Sequence, residues 1–372
     1  MLLLHVLAFT CGVLIVLSTL TAAMRTFVLP RGVPVRLTRL VFLSIRVLFN
    51  MATRKVDTYE QRDSIMALYA PVALLAFPAV CLLLVLAGYM LMFWSLGFPT
   101  FRATFTVSGS SLLTLGFAAV PTLATTVLAF TEAGIGLILA ALIISYLATM
   151  YSTFQRREAA VTMLEVRAGS PPSAIVMFIR FHRIGRMDHL RDMWIQWEIW
   201  FADLEESHTS LQAIVFFRSP QPDHSWVTAA GAVLDAAALA VSTIDIPHDA
   251  QADLCIRAGY LALRRIADFF GIAYTPEPLF PQTPISLSRE EFDAACAEMA
   301  AAGVPLKADL DKAWQDFAGW RVNYDTVLIM LAQLTMAPYA PWSSDRGLRA
   351  QRPPLLPRFK LPRFKRAPRV GL

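Results

Sequence analysis

Three runs of this chain stay apolar for longer than most globular helices. The first, Leu2 to Met24, carries no charge. The second, about Ile65 to Trp94, lies inside an uncharged stretch from Ser64 to Phe101, and the third runs from about Leu123 to Ser152. A helix of about 20 apolar residues crosses roughly 30 Å of hydrocarbon, so each run predicts a spanning helix. Pro71 and Pro78 predict kinks in the second. Between the second and third sits Ser108-Gly109-Ser110-Ser111-Leu112-Leu113-Thr114-Leu115-Gly116-Phe117-Ala118, too short and too polar to cross. Non-helical backbone at membrane depth is tolerated only where it is buried in protein or lines a water-filled cavity. The pattern therefore predicts a re-entrant hairpin, with a helix over about Arg102 to Leu113 followed by a loop.

After Gln155 the pattern changes to amphipathic helices. Arg186 to Glu206 places Trp194, Trp197, Phe201 and Leu204 on one stripe, the periodicity of a core-facing helix. Ser225 to Ile244, Ala250 to Phe270, Ser288 to Ala302 and Lys307 to Met336 read the same way. Ser288-Arg289-Glu290-Glu291 has the form of a capping box, and the proline-rich segment Tyr274 to Ile285 reads as a linker. The expected fold class is an all-α membrane protein: three transmembrane helices plus a re-entrant helix, followed by a helical cytoplasmic domain. The segments are a first span (1–24), a basic loop with an amphipathic helix (25–63), a hairpin domain (64–155), the helical domain (156–345) and a polybasic tail (346–372).

Composition agrees: 56% of the 372 residues are hydrophobic and 16% charged, and the mean hydropathy is +0.51. Charge placement adds orientation. Residues 25–63 carry net +5, residues 64–155 hold only Arg102 and Glu132, residues 156–345 carry net −9, and residues 346–372 hold nine basic side chains and no acid. A basic loop marks the cytoplasmic side. Arg156-Arg157 closes the third run on that same side, so the N-terminus is expected outside and the C-terminal domain inside a plasma or inner membrane. The first run lacks a basic n-region, which favours a retained span over a cleaved signal. The net charge of +5 comes from two local segments, which argues against nucleic acid as a partner. In the basic loop, Val35 to Asn50 reads as a helix with Arg36, Arg39 and Arg46 within about 80° of one another at 100° per residue. Such a helix suits either the inner membrane surface or packing against the spans.

Thr114-Leu115-Gly116-Phe117-Ala118, flanked by one spanning helix on each side and followed by Pro121, resembles the filter of tetrameric potassium channels. The resemblance covers roughly residues 65–157. It implies a homotetramer in which the backbone carbonyls of Thr114, Leu115, Gly116 and Phe117, with the Thr114 hydroxyl, replace the hydration shell of a passing monovalent cation. Departures from the family pattern imply altered K⁺ selectivity. Ala118 stands where a second glycine is expected, at a cost of roughly 1–2 kcal/mol in a left-handed conformation. Ala119 replaces an acid, Leu113 a threonine, and Phe117 lacks a phenol. Glu132 is a candidate outer-mouth charge or, alternatively, a helix-end residue near the headgroups. Ser145, Thr149 and Ser152, at i, i+4 and i+7, are candidate pore-lining residues, or small residues that let helices pack closely.

The expected function is passive cation conduction. The alternative is a non-conducting sensor or scaffold that keeps a pore-like fold. No nucleophile–base constellation, nucleotide fingerprint or metal-ligand spacing is present, so neither an enzyme nor a cofactor is expected. Arg180, His182, Arg183, Arg186, His189 and Arg191 form a basic cluster, either an anion site or a solvated helix end. The tail repeats Pro-Arg-Phe-Lys at 357–360 and 362–365, and with the basic loop it is expected to bind anionic lipid headgroups.

Overall fold

The computed structural model describes residues 2–28, 36–54, 56 and 58–346. The Pro-Arg-Phe-Lys repeats and parts of the basic loop lie outside them. Thirteen α-helices are present among the described residues, and no strand. Three helices are long and apolar enough to cross a membrane, which fits a membrane protein. The chain divides into two compact units: 1–155 with Ser210–Phe217, and Arg156–Thr209 with the described residues from Arg218 on.

The first unit is organised around α4 (Tyr69–Ser95). The apolar run breaks at Leu68, between α3 (Tyr59–Ala67) and α4, three residues before Pro71, whose ring clashes with the backbone of the preceding turn. Helix α1 (Leu2–Phe27) lies antiparallel to α4. His5 stacks on Trp94 at 4.9 Å and reaches the Ser95 carbonyl at 3.1 Å, while Phe27 meets Phe77 at the other end. Midway, a Cβ built on Gly12 would stand 2.4 Å from the Gly88 carbonyl oxygen. The two backbones touch, the small-residue mode by which membrane helices gain van der Waals contact without a hydrophobic driving force.

Helix α2 (Arg36–Thr53) packs on α4 through Val41, Phe77 and Cys81. Arg46 lies over the rings of Tyr69 and Phe216 at 5.6 and 5.1 Å, so this arginine is occupied by cation–π contact. Helix α5 (Phe101–Leu112) is capped by Thr100, whose hydroxyl accepts the Ala103 N–H at 3.2 Å.

Helix α6 (Leu123–Ala168) begins with a reciprocal cap between Thr122 and Thr125 and continues for 46 residues. At 1.5 Å per residue it is about 69 Å long, more than twice a hydrocarbon thickness. Its first part runs antiparallel to α4: Tyr89 donates to Thr131 at 3.0 Å, and Tyr146 and Met150 join Ala70 and Leu74 in one cluster.

In the second unit, α9 (Trp226–Ser242) is buried along its whole length except Val241, so it is the central helix. Packed on it are α7 (Ala174–Arg183), α10 (Ala250–Phe270), α12 (Leu310–Arg321) and α13 (Asp325–Thr335); α8 (Leu190–Ser210) reaches it through His208 and Trp226, and α11 (Arg289–Ala301) packs on α7. The Ser288–Glu291 capping box is formed in both directions. The helix expected over Lys307 to Met336 is two helices, broken at Val322–Tyr324. The break is fixed by Arg321, Tyr324 and Asp325, which converge with Asp235 of α9 in a buried network. Arg180 of the basic cluster donates to the Glu165 and Val166 carbonyls at 2.9 and 2.8 Å. It caps α6 and is not part of an open anion site.

Candidate functional site

The hairpin after α5 is built by two serines that the sequence reading had not singled out. Helix α5 stops at Leu113, and Thr114 turns left-handed with φ 57°; Gly116 follows at φ 71°. The strain expected at Ala118 is absent, because the left-handed positions are Thr114 and Gly116. For a threonine this conformation costs roughly 1–2 kcal/mol.

The cost is offset by Ser110. Its carbonyl accepts the N–H of Leu115 at 2.8 Å and, more weakly, that of Gly116 at 3.5 Å. Its hydroxyl oxygen accepts those of Phe117 and Ala118 at 3.1 and 3.2 Å. At about 0.5–1.5 kcal/mol each, these bonds outweigh one left-handed residue.

The consequence is directional. In a planar trans peptide the carbonyl points opposite to the N–H of the next residue. Four successive N–H groups, from 115 to 118, point at Ser110, so the carbonyls of Thr114, Leu115, Gly116 and Phe117 face away from the hairpin's own helix. Helix α5 aims its negative C-terminal end at the same loop. The Thr114 hydroxyl donates back to the Leu113 carbonyl at 2.7 Å. The side chains of Leu115 and Phe117 remain 60% and 67% exposed in the single chain.

Behind the loop, Ser108 links three helices. Its hydroxyl lies 2.5 Å from Glu132 Oε1 on α6 and 3.2 Å from the Leu86 carbonyl on α4. Glu132 is 0% exposed. The hairpin covers it, and among the described residues its Oε2 has no hydrogen-bond partner. The same face of α6 carries Gly136, where a Cβ would fall 2.1 Å from the Leu112 carbonyl oxygen. A side chain there would push α5 off α6, which explains this glycine.

Ser145, Thr149 and Ser152 form one exposed stripe further along α6, with the Thr149 hydroxyl bonded to the Ser145 carbonyl at 3.0 Å. They are not brought near the 114–118 loop. The signal that could have found Ser108 and Ser110 is their position: polar residues two apart at the end of a short helix between apolar runs need internal acceptors. Comparison with known protein families, curated proteins and solved structures finds no match to this chain.

Proposed function

We propose that the chain is the subunit of a cation channel, in which α5 is a re-entrant pore helix and residues 114–118 line the ion path. Four copies around a common axis would turn the outward carbonyls of Thr114, Leu115, Gly116 and Phe117 into stacked rings of oxygens that replace a cation's water shell. The observation that carries this reading is the convergence of four N–H groups on Ser110, which turns those carbonyls outward in an unbroken series. The exposed Leu115 and Phe117 side chains support it, since neighbouring copies would cover them.

With alanine at 118 and 119, and strain on Thr114, discrimination between K⁺ and Na⁺ is expected to be weak. The N-terminus lies outside and the second unit is cytoplasmic, with the Ser145, Thr149 and Ser152 stripe facing the inner half of the path. The basic loop and tail engage anionic lipid headgroups on the inner leaflet.

The deciding experiment is reconstitution of the full chain into liposomes under a K⁺ or Na⁺ gradient with an applied potential. The expected result is flux of both ions with a small K⁺ preference. Absence of flux at every potential overturns conduction and leaves a membrane sensor with a pore-like fold.

A further inference from the structure

A second feature of the molecule is independent of ion conduction. The far part of α6 and helix α8 enclose a cleft of about 400 Å³ inside the second unit. That volume lies in the range of small-molecule sites, roughly 300–1,000 Å³. Its α6 wall is one stripe: Arg156, Ala160, Met163 and Arg167 stand at i, i+4, i+7 and i+11. Its α8 wall is aromatic, with Trp197 and Trp200 at a centroid distance of 4.6 Å and 63° between planes. The rim leaves Met163 and Ile199 largely uncovered, although both are apolar.

We propose that this cleft binds an anionic amphiphile, a molecule with one carboxylate or phosphate and an apolar body. The apolar middle suits an acyl or aromatic body, and the ends set the charge. Arg156 and Arg167 stand about 16 Å apart along the helix axis. Arg156 is bridged to Asp203 at 3.4 Å, but the pair is 61% and 35% exposed, so a ligand anion can displace it at little cost. Arg167 gives one of its five donors to the Met163 carbonyl at 3.1 Å and keeps the rest of its fork for an oxyanion. Two arginines against one aspartate favour an anionic over a cationic ligand. The same chemistry is found in free fatty acids and in anionic membrane lipids, and the test separates them.

The full chain is placed in nanodiscs of zwitterionic lipid and titrated with 11-bromoundecanoate, whose bromine quenches indole fluorescence on contact. The expected result is saturable quenching, with the acid binding at least tenfold tighter than 11-bromoundecanol. Ala160→Phe, which fills the cleft from its wall, should weaken binding tenfold or more. The double variant Arg156→Gln and Arg167→Gln should bring the acid down to the affinity of the alcohol. Both arginines are surface residues, so this variant carries the test should Ala160→Phe alter the melting temperature.

A parallel set of nanodiscs contains phosphatidylglycerol brominated in its acyl chains. Quenching there that Ala160→Phe removes assigns the site to a membrane lipid, and quenching by the free acid alone assigns it to a soluble amphiphile. Equal, unsaturable quenching of wild type and Ala160→Phe in both sets overturns the proposal. So does equal affinity for acid and alcohol.

Discussion

In the first unit helices meet backbone against backbone, Gly12 on Gly88 and Gly136 on the Leu112 carbonyl; in the second a buried ion network joins them, with Arg321 held between Asp235 and Asp325. Each solution follows from its surroundings. Apolar helices that face lipid gain nothing by hiding apolar surface from one another, so they gain contact by removing side chains. A unit with a full hydrophobic core can carry a buried ion network, provided every member is bonded. The single acid of the first unit's hairpin region, Glu132, is the exception: one oxygen bonded, the other not. An ionisable group in that position is a functional signal more often than a structural one.

The largest effect is expected from breaking the ionic solution. Arg321 is fully buried, and its guanidinium reaches Asp235, Asp325 and the Trp342 carbonyl. Burial works against its charge, but the carboxylates of Asp235 and Asp325 more than offset this and hold its pKa above the ordinary arginine value. Arg321→Met leaves two buried carboxylates uncompensated, at a cost of about 3–5 kcal/mol. Tryptophan fluorescence during urea unfolding reads this directly, since all eight tryptophans except Trp94 belong to the second unit. A loss below about 1 kcal/mol would mean that the network does not hold the unit together.

The glycine solution breaks next. Gly136→Ala puts a methyl group into the Leu112 carbonyl, and overpacking against backbone costs about 1–3 kcal/mol. Gly134→Ala, two residues earlier, meets open space and serves as the control. Gly136→Ala is expected to lower the thermal midpoint of detergent-solubilised protein and broaden its size-exclusion peak, with Gly134→Ala near wild type. Equal behaviour of the two variants would remove the close approach of α6 to α5 from the account.

A smaller, local effect should follow in the loop. Ser110→Ala removes the acceptor of two N–H groups while leaving the Ser110 carbonyl in place. Unsatisfied donors cost about 1–2 kcal/mol, confined here to the loop. Amide hydrogen exchange at Phe117 and Ala118 should accelerate about tenfold or more, with the global melting temperature unchanged. Unaltered exchange would show that Ser110 does not orient the loop, independently of whether the protein conducts.

What could be read beforehand divides along the range of each interaction. The Ser288–Glu291 capping box, the α10 boundaries at Ala250 and Phe270 and the short helix before Thr114 are written in neighbouring residues, and they appear within a residue or two of the expected places. The break at Val322–Tyr324 was not legible, because no glycine or proline marks it. It is fixed by Asp235, 86 and 89 positions away from Arg321 and Tyr324. The burial of Glu132 was not legible for the same reason: its partner Ser108 lies 24 residues back on another helix. The turn of the 114–117 carbonyls away from α5 was not legible in the neighbouring residues. The local reason for it, Ser110, needed three-dimensional geometry.

A buried histidine makes the stability of the second unit depend on pH. His208 is fully buried, with Nδ1 3.0 Å from the Ser207 hydroxyl, Nε2 3.4 Å from the Arg157 guanidinium and its ring 4.7 Å from that of Trp226. A guanidinium only donates, so Nε2 accepts, the ring proton sits on Nδ1, and the imidazole is neutral. Burial first, and then the charge of Arg157, hold the His208 pKa well below the usual value near 6.5. The unfolded chain takes up a proton as pH falls through about 6.5, while the folded chain does not, so folding stability is lost with falling pH from there down to the folded-state pKa. The limiting slope is about 1.4 kcal/mol per pH unit for one such group. His208→Gln keeps an acceptor for Arg157 and removes the titration. Urea unfolding curves followed by tryptophan fluorescence should therefore run parallel for the two proteins above about pH 7 and diverge between about pH 6.5 and 5, with the wild type losing stability more steeply. Parallel curves throughout would mean that His208 can charge in the folded state, which its distance to Arg157 argues against.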